Sequence, residues 1–305
     1  MKRLLIVMAL LVATGTAFGE GHRLLVADYS TKRIAIVDAS GKIEWEYKID
    51  DLHDLQLLPS GNVLFQTSMT RLVEVEPKSN KIVWEYDAQR MNDDGKRVEV
   101  HAFQRVGEGR TMIAESGRAR IIEVGKQGAI LKQIKMKVEH PSTHSDTRLV
   151  RKLESGHYLV AHEADGKVRE YDEKGQVTWE YEVPLFGKEK KGGHGPEAWG
   201  NSLFCAIRLE NGNTLIATGN GHGVIEVTPA KEIVWQVTQD ELPGIKLAWV
   251  TTLQVLKNGN IVLGNCHAGK DNPQIVEITR EKKVVWTWKD FEKFGNATSN
   301  SWVIE

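Results

Sequence analysis

Residues 53–65 read HDLQLLPSGNVLF: an apolar run, a tight polar turn carrying a glycine, and a second apolar run. The phrase returns as HAFQRVGEGRTMIA at 101–114, TRLVRKLESGHYLVA at 147–161, CAIRLENGNTLIA at 205–217 and TLQVLKNGNIVLG at 252–264. A shortened copy, GHRLLVAD, stands at 21–28. Each full copy reads as two strands joined by a short Gly-containing hairpin turn. The turn glycines Gly61, Gly109, Gly156, Gly212 and Gly259 recur every ~47 to 56 residues, a period that belongs to propeller blades or solenoid repeats.

The residues after each copy choose between the two. A third run appears as RIAIVD at 33–38, RLVEVE at 71–76, RIIEVG at 120–125, KVREYD at 167–172, GVIEVT at 223–228 and QIVEIT at 274–279. A fourth appears as KIEWEY at 42–47, KIVWEY at 81–86, AILKQI at 129–134, QVTWEY at 176–181, EIVWQV at 232–237 and KVVWTW at 283–288. These runs are rich in β-branched and aromatic residues and show no helical period, so each repeat supplies four strands. Six such repeats predict an all-β, six-bladed β-propeller of four-stranded blades. Its ring is expected to close through SNSWVIE at 299–305, a first strand with no turn after it, pairing with the N-terminal GHRLLVAD. Closure of that kind removes two free sheet edges.

The segment AIVDASGKIEW at 35–45 resembles the tryptophan-docking repeat of pyrroloquinoline-quinone-type propellers, through Ala35, Asp38, Gly41 and Trp45. Trp84, Trp179, Trp235 and Trp286 repeat its last element, and Leu131 replaces it in the third blade. The resemblance implies that each Trp packs against the neighbouring blade. HDLQLLPSGNVLF followed by WEY is also similar to repeats of bacterial arylsulfotransferases, a likeness that implies a histidine nucleophile as one possible activity.

The chain opens MKRLLIVMALLVATGTAFG: two basic residues, an apolar stretch about half the ~20 residues a spanning helix needs, then small residues. Residues 1–19 are therefore expected to be a cleaved signal peptide and 20–305 a single propeller domain, periplasmic or secreted. With 40 basic and 41 acidic residues the chain carries no charge excess suited to nucleic acid or a membrane surface. Two cysteines, Cys205 and Cys266, cannot hold so large a domain together, and the sequence leaves their pairing open.

One set of turns, including LPSGN, ESGH, KNGN and DASGK, is uniformly short. The other set is longer and holds eight of the ten histidines, among them His53, His101, His144, His162 and His267. Loops raised on a rigid scaffold are where binding residues gather. Aligned on the turn glycines, His53, His101 and Arg148 start innermost strands, and His144 lies four residues earlier, at the rim. Glu115, His162 and Glu163 end second strands one layer out. These residues are the candidates for a polar cup about the channel mouth.

The leading functional reading is a module binding a small polar or anionic ligand, or a protein partner, at that mouth. An arylsulfotransferase-like enzyme with a histidine nucleophile is the alternative, and a metal- or quinone-dependent enzyme a third. No HxH or HExxH spacing marks a metal set, and no cofactor is named by any motif. The protein is expected to be monomeric. If the N-terminal reading holds, sequencing of the exported protein should start near Glu20; recovery of Met1 on a membrane-bound form would contradict it.

Overall fold

A computed structural model describes residues 21–92, 94–107 and 109–305; the expected signal peptide lies outside them. Six four-stranded antiparallel sheets are present, each a meander from an inner to an outer strand. Blades 2 to 6 occupy residues 55–87, 99–135, 150–182, 205–237 and 249–288. Blade 1 is built from Arg23–Asp28, Arg33–Val37 and Ile43–Lys48, with the C-terminal strand Thr298–Ile304 as its innermost member. Leu24 faces Val303 and Leu25 faces Trp302 across that junction. Inner strands of neighbouring blades touch one another around the axis. This is the six-bladed propeller that the repeats predict. No helix of the described residues is long and apolar enough to cross a membrane.

Burial explains the sequence pattern. Second strands such as Val63–Gln66 and Tyr158–His162 are buried on both faces, so they read as continuous apolar runs. The outer strand Lys81–Asp87 alternates exposed and covered positions because only one of its faces meets the next blade. The turn glycine Gly61 has φ 84°, a left-handed conformation that only glycine adopts without strain, and its amide closes the turn onto the Leu58 carbonyl at 2.8 Å.

The docking tryptophans join blade to blade. Trp45 Nε1 donates to Asn80 Oδ1 at 2.6 Å, and Trp84, Trp179 and Trp235 donate to the carbonyls of Lys126, Pro229 and Arg280. Three of them carry a further layer. Arg105, Arg208 and Arg280 stack over Trp84, Trp179 and Trp235, and the same guanidiniums pair with Glu74, Glu170 and Glu226 of the preceding blade. Each arginine thus covers an indole and neutralises a covered carboxylate at once. The tryptophans are not equally buried: Trp45 is 7% exposed, whereas Trp84 is only partly covered.

Trp45→Ala should therefore cost roughly 3–5 kcal/mol, and Trp84→Ala clearly less, by denaturant unfolding. Equal costs would contradict this burial order. Deleting residues 296–305 should lower the melting temperature sharply; a deletion protein that melts like the parent would show that the ring does not depend on its closing strand.

Candidate functional site

The inner strands begin at one face of the ring, and three blades deliver side chains there. His53 stands just before Leu55–Leu57, its amide held by Gln66 Oε1 at 2.9 Å and its carbonyl by Asn300 Nδ2 at 3.0 Å. His101 lies within Glu99–Gly107, and Arg148 just precedes Val150–Lys152. His144 sits in a turn capped by Asp146, whose carboxylate accepts from the amides of Ser142 and Gly117. These anchors bring the ring centroids of His53 and His101 to 4.5 Å, His101 and His144 to 5.2 Å, and His53 and His144 to 5.7 Å.

Glu99, which the sequence pattern does not single out, organises this cluster. Its Oε2 accepts from His144 Nδ1 at 2.8 Å and from His101 Nε2 at 3.0 Å. Burial alone would raise its carboxyl, but the hydrogen bonds from His101 and His144 carry it far below the usual carboxylate range. On the other side of His101, Arg148 Nη1 donates to Nδ1 at 2.9 Å, while Arg148 Nε faces Glu163. A guanidinium can only donate, so Nδ1 must accept, and the neutral ring carries its proton on Nε2, toward Glu99. Burial, reinforced by Arg148, pushes His101 down to about 3. Burial likewise drives His53 well below its ordinary value.

Donor atoms of Glu99, His101 and His144 lie within 4.8 Å of one another, close enough for a single cation. The tautomer argues against such a site. A metal on His101 Nε2 would leave both ring nitrogens without protons, since Nδ1 already accepts from Arg148, and the ring would have to be an imidazolate. The triad fits a hydrogen-bonded network, not a ligand set.

The far wall of the mouth comes from other blades. Tyr29 hydroxyl lies 3.0 Å from His267 Nε2. His194 packs on Trp249 at 4.4 Å and on His267 at 5.1 Å. His194 is carried there by the long connection between blades 4 and 5, where Lys191 and Trp199 exchange backbone hydrogen bonds. The cup, open at the mouth, has a volume of 230 Å³ and is also lined by Asp51, Phe204, Thr251 and Ser299. Next to His53, Arg151 reaches past blade 3 to grip Asp54 with two hydrogen bonds of 2.8 Å, a fully buried carboxylate near the axis.

The sequence matches the profile of a pyrroloquinoline-quinone-type repeat family described as outer membrane protein assembly factor BamB, over residues 8–134 and 57–288. The chain belongs to this family. Among solved structures, a protein of unknown function from Bacteroides caccae is 25% identical, with 91% of this chain and 97% of that one covered and a TM-score of 0.75. Streptogramin B lyase is 13% identical, with 91% and 86% covered and a TM-score of 0.59. A catalytically inactive virginiamycin B lyase from Staphylococcus aureus, with quinupristin, is 14% identical, with 91% and 87% covered and a TM-score of 0.58. The two lyases share the fold alone. No curated protein matches the sequence.

In this BamB-type propeller the expected site residues divide. His53, His144, Arg148 and His267 line the cup, His101 lies behind it, and Glu163 is tied to it through Arg148. Glu115 and His162 do not belong to it. Glu115 is buried in blade 3, held by Arg120, Tyr86 and Asn92. His162 is buried in blade 4 between the Asp146 carbonyl and the Tyr171 hydroxyl. Both end second strands, where Glu115 is taken up by the seam with blade 2 and His162 by blade 4 and the turn before it. Cys205 and Cys266 are buried free thiols.

The pH dependence of stability rests on the buried histidines. His101 titrates at about 3, and His162 and His267 at about 4, all chiefly through burial. An unfolded histidine titrates near ~6.5, so below that pH the unfolded chain binds more protons than the folded one. This stability is complete above about pH 6.5 and is lost as pH falls toward the folded values, by up to about 1.4 kcal/mol per pH unit for each histidine. The melting temperature should fall steeply between pH 7 and pH 4; a flat profile would contradict neutral, buried imidazoles.

Proposed function

We propose that this chain is an exported BamB-type propeller that binds a small polar ligand in the cup at its mouth. The observation that supports the reading is the convergence of His53, His144, Arg148 and His267 from three blades on one 230 Å³ space. A structural histidine is satisfied on both ring nitrogens within the protein, as His162 is by the Asp146 carbonyl and the Tyr171 hydroxyl. Here His144 is held from behind by Glu99, and Arg148 by His101 and Glu163. Pre-positioned polar groups in a concave site are the ordinary form of a small-molecule site.

Mass spectrometry of the natively purified chain, before and after denaturation, tests the reading. A small molecule should be released from the parent and be absent from the double variant Arg148→Met with Glu163→Gln, which removes the ion pair without stranding a buried charge. An empty parent protein that also shows no saturable ligand in a broad screen would overturn it.

One observation favours a second reading, an enzyme of arylsulfotransferase type. His144 is half-exposed and offers Nδ1 to Glu99, which leaves Nε2 as the nucleophilic atom. On this reading, incubation with 4-nitrophenyl sulfate releases nitrophenol, and His144→Ala abolishes the release without changing the melting curve. The family description raises a protein partner as well. Exposed Val83, Leu131 and Val234 on outer strands are the apolar positions such a partner would cover.

A further inference from the structure

We propose that the cup takes a small zwitterion, an amino acid whose carboxylate meets Arg148 and whose ammonium meets Asp51 and His144. The inference rests on the ligand-binding reading above and names its chemical class.

Arg148 has a donor left over. The residue is only 5% exposed and lines the cup. Its Nη1 donates to His101 Nδ1 and to the His144 carbonyl, and its Nε faces Glu163. Nη2 has no acceptor among the described residues. A covered guanidinium nitrogen without an acceptor is costly, and a carboxylate is the acceptor that such a group holds best.

Asp51 is the opposite charge on the same cup. Among the described residues its one hydrogen bond comes from the neighbouring Leu52 amide, to Oδ1 at 2.9 Å, and no lysine or arginine pairs with it. Burial raises its carboxyl above the ordinary value. Arg148 is near enough to oppose that rise through its field, yet the two side chains form no ion pair. A cation placed between Asp51 and the open mouth would restore the partner that burial calls for.

His144 adds a second acceptor beside Asp51. Its Nδ1 lies 2.8 Å from Glu99 Oε2. An ionised carboxylate can only accept, so the ring in its neutral form carries its proton on Nδ1 and presents a lone pair at Nε2. The ring is half-exposed and lines the cup. An ammonium, which donates three hydrogen bonds and accepts none, suits Asp51 and His144 Nε2 together.

The two charges choose between ligand classes. A simple anion would meet Arg148 but lie before Asp51, with Glu99 and Glu163 behind the wall. A simple cation would meet Asp51 but lie before Arg148. One molecule carrying both charges satisfies each and brings no net charge into the cup. The rings of Trp249 and Phe204 give an apolar wall for its carbon skeleton, and the open mouth leaves room for a side chain.

The test uses the full mature chain. Glycine, phenylalanine, γ-aminobutyrate and 6-aminohexanoate are the zwitterions, and propionate and propylamine carry one charge each. Melting temperature and tryptophan fluorescence are followed as each probe is titrated at pH 7.5. At least one zwitterion should raise the melting temperature saturably and bind at least tenfold more tightly than either single-charge probe. A rise that stays linear with concentration is a bulk solvent effect and counts against the proposal. Asp51→Asn should weaken that zwitterion at least tenfold, as should Arg148→Met with Glu163→Gln. Without a probe Asp51→Asn should melt at or above the parent, because it removes a carboxylate whose charged form burial disfavours. An Asp51→Asn protein that binds like the parent would overturn the proposal, as would propionate or propylamine binding as tightly as the zwitterions. Either outcome leaves the broader ligand-binding reading standing. Failure of every probe overturns the proposal too, and together with an empty native protein it removes both.

Discussion

The strand Thr298–Ile304 is the constraint on which the rest depends. A propeller whose first blade lacks its inner strand has a gap at the axis, and here the C-terminus fills it. Hydrogen bonds hold it on both sides. Asp28 accepts from the Ala297 amide, and Gln254 of blade 6 exchanges a reciprocal pair with Val303, at 2.7 and 3.0 Å. Gln56 and Gln104 take the amides of Arg105 and Lys152 in the same way, so one glutamine register stitches inner strands of neighbouring blades together. The closing strand also builds the site: Asn300 fixes the His53 carbonyl and Ser299 lines the cup. Fold and mouth therefore share one dependency.

Electrostatics at the mouth is governed by burial before charge. Imidazoles gathered under cover resist protonation, and Arg148 adds to that resistance. Its Nε faces Glu163, and the charge of Glu99 is absorbed by the imidazole hydrogen bonds. A cluster that reads in sequence as a polar, titratable cup becomes a network of oriented hydrogen bonds. Such a network fixes positions and directions, which suits recognition by hydrogen-bond pattern.

The ring is legible in the sequence because its determinants are local and repeated. Apolar runs, turn glycines and outer-strand tryptophans each lie within a few residues of one another, and SNSWVIE declares itself by lacking a turn. The rim histidines are legible from the same register. Features that depend on contacts across blades are not. Glu99 carries one available signal, since the two-residue period of a strand sets it on the face of His101. Asp51 and Tyr29 carry none, because they reach the cup from connections whose course the repeat does not set. Glu115 and His162 are misplaced by the pattern because register fixes a radial layer but not the side chain's neighbour. The partial exposure of Trp84 has a similar origin: Arg105, from the inner strand of the next blade, covers the indole in place of apolar packing.

The mouth is thus a directed hydrogen-bonded network and not a cationic trap. The most direct measurement is the ¹⁵N imidazole spectrum of His101 at pH 7, assigned by comparison with His101→Gln. A neutral ring with its proton on Nε2 and an accepting Nδ1 is expected, and the same state at pH 5.5. A proton on Nδ1, or an imidazolium at either pH, would contradict it.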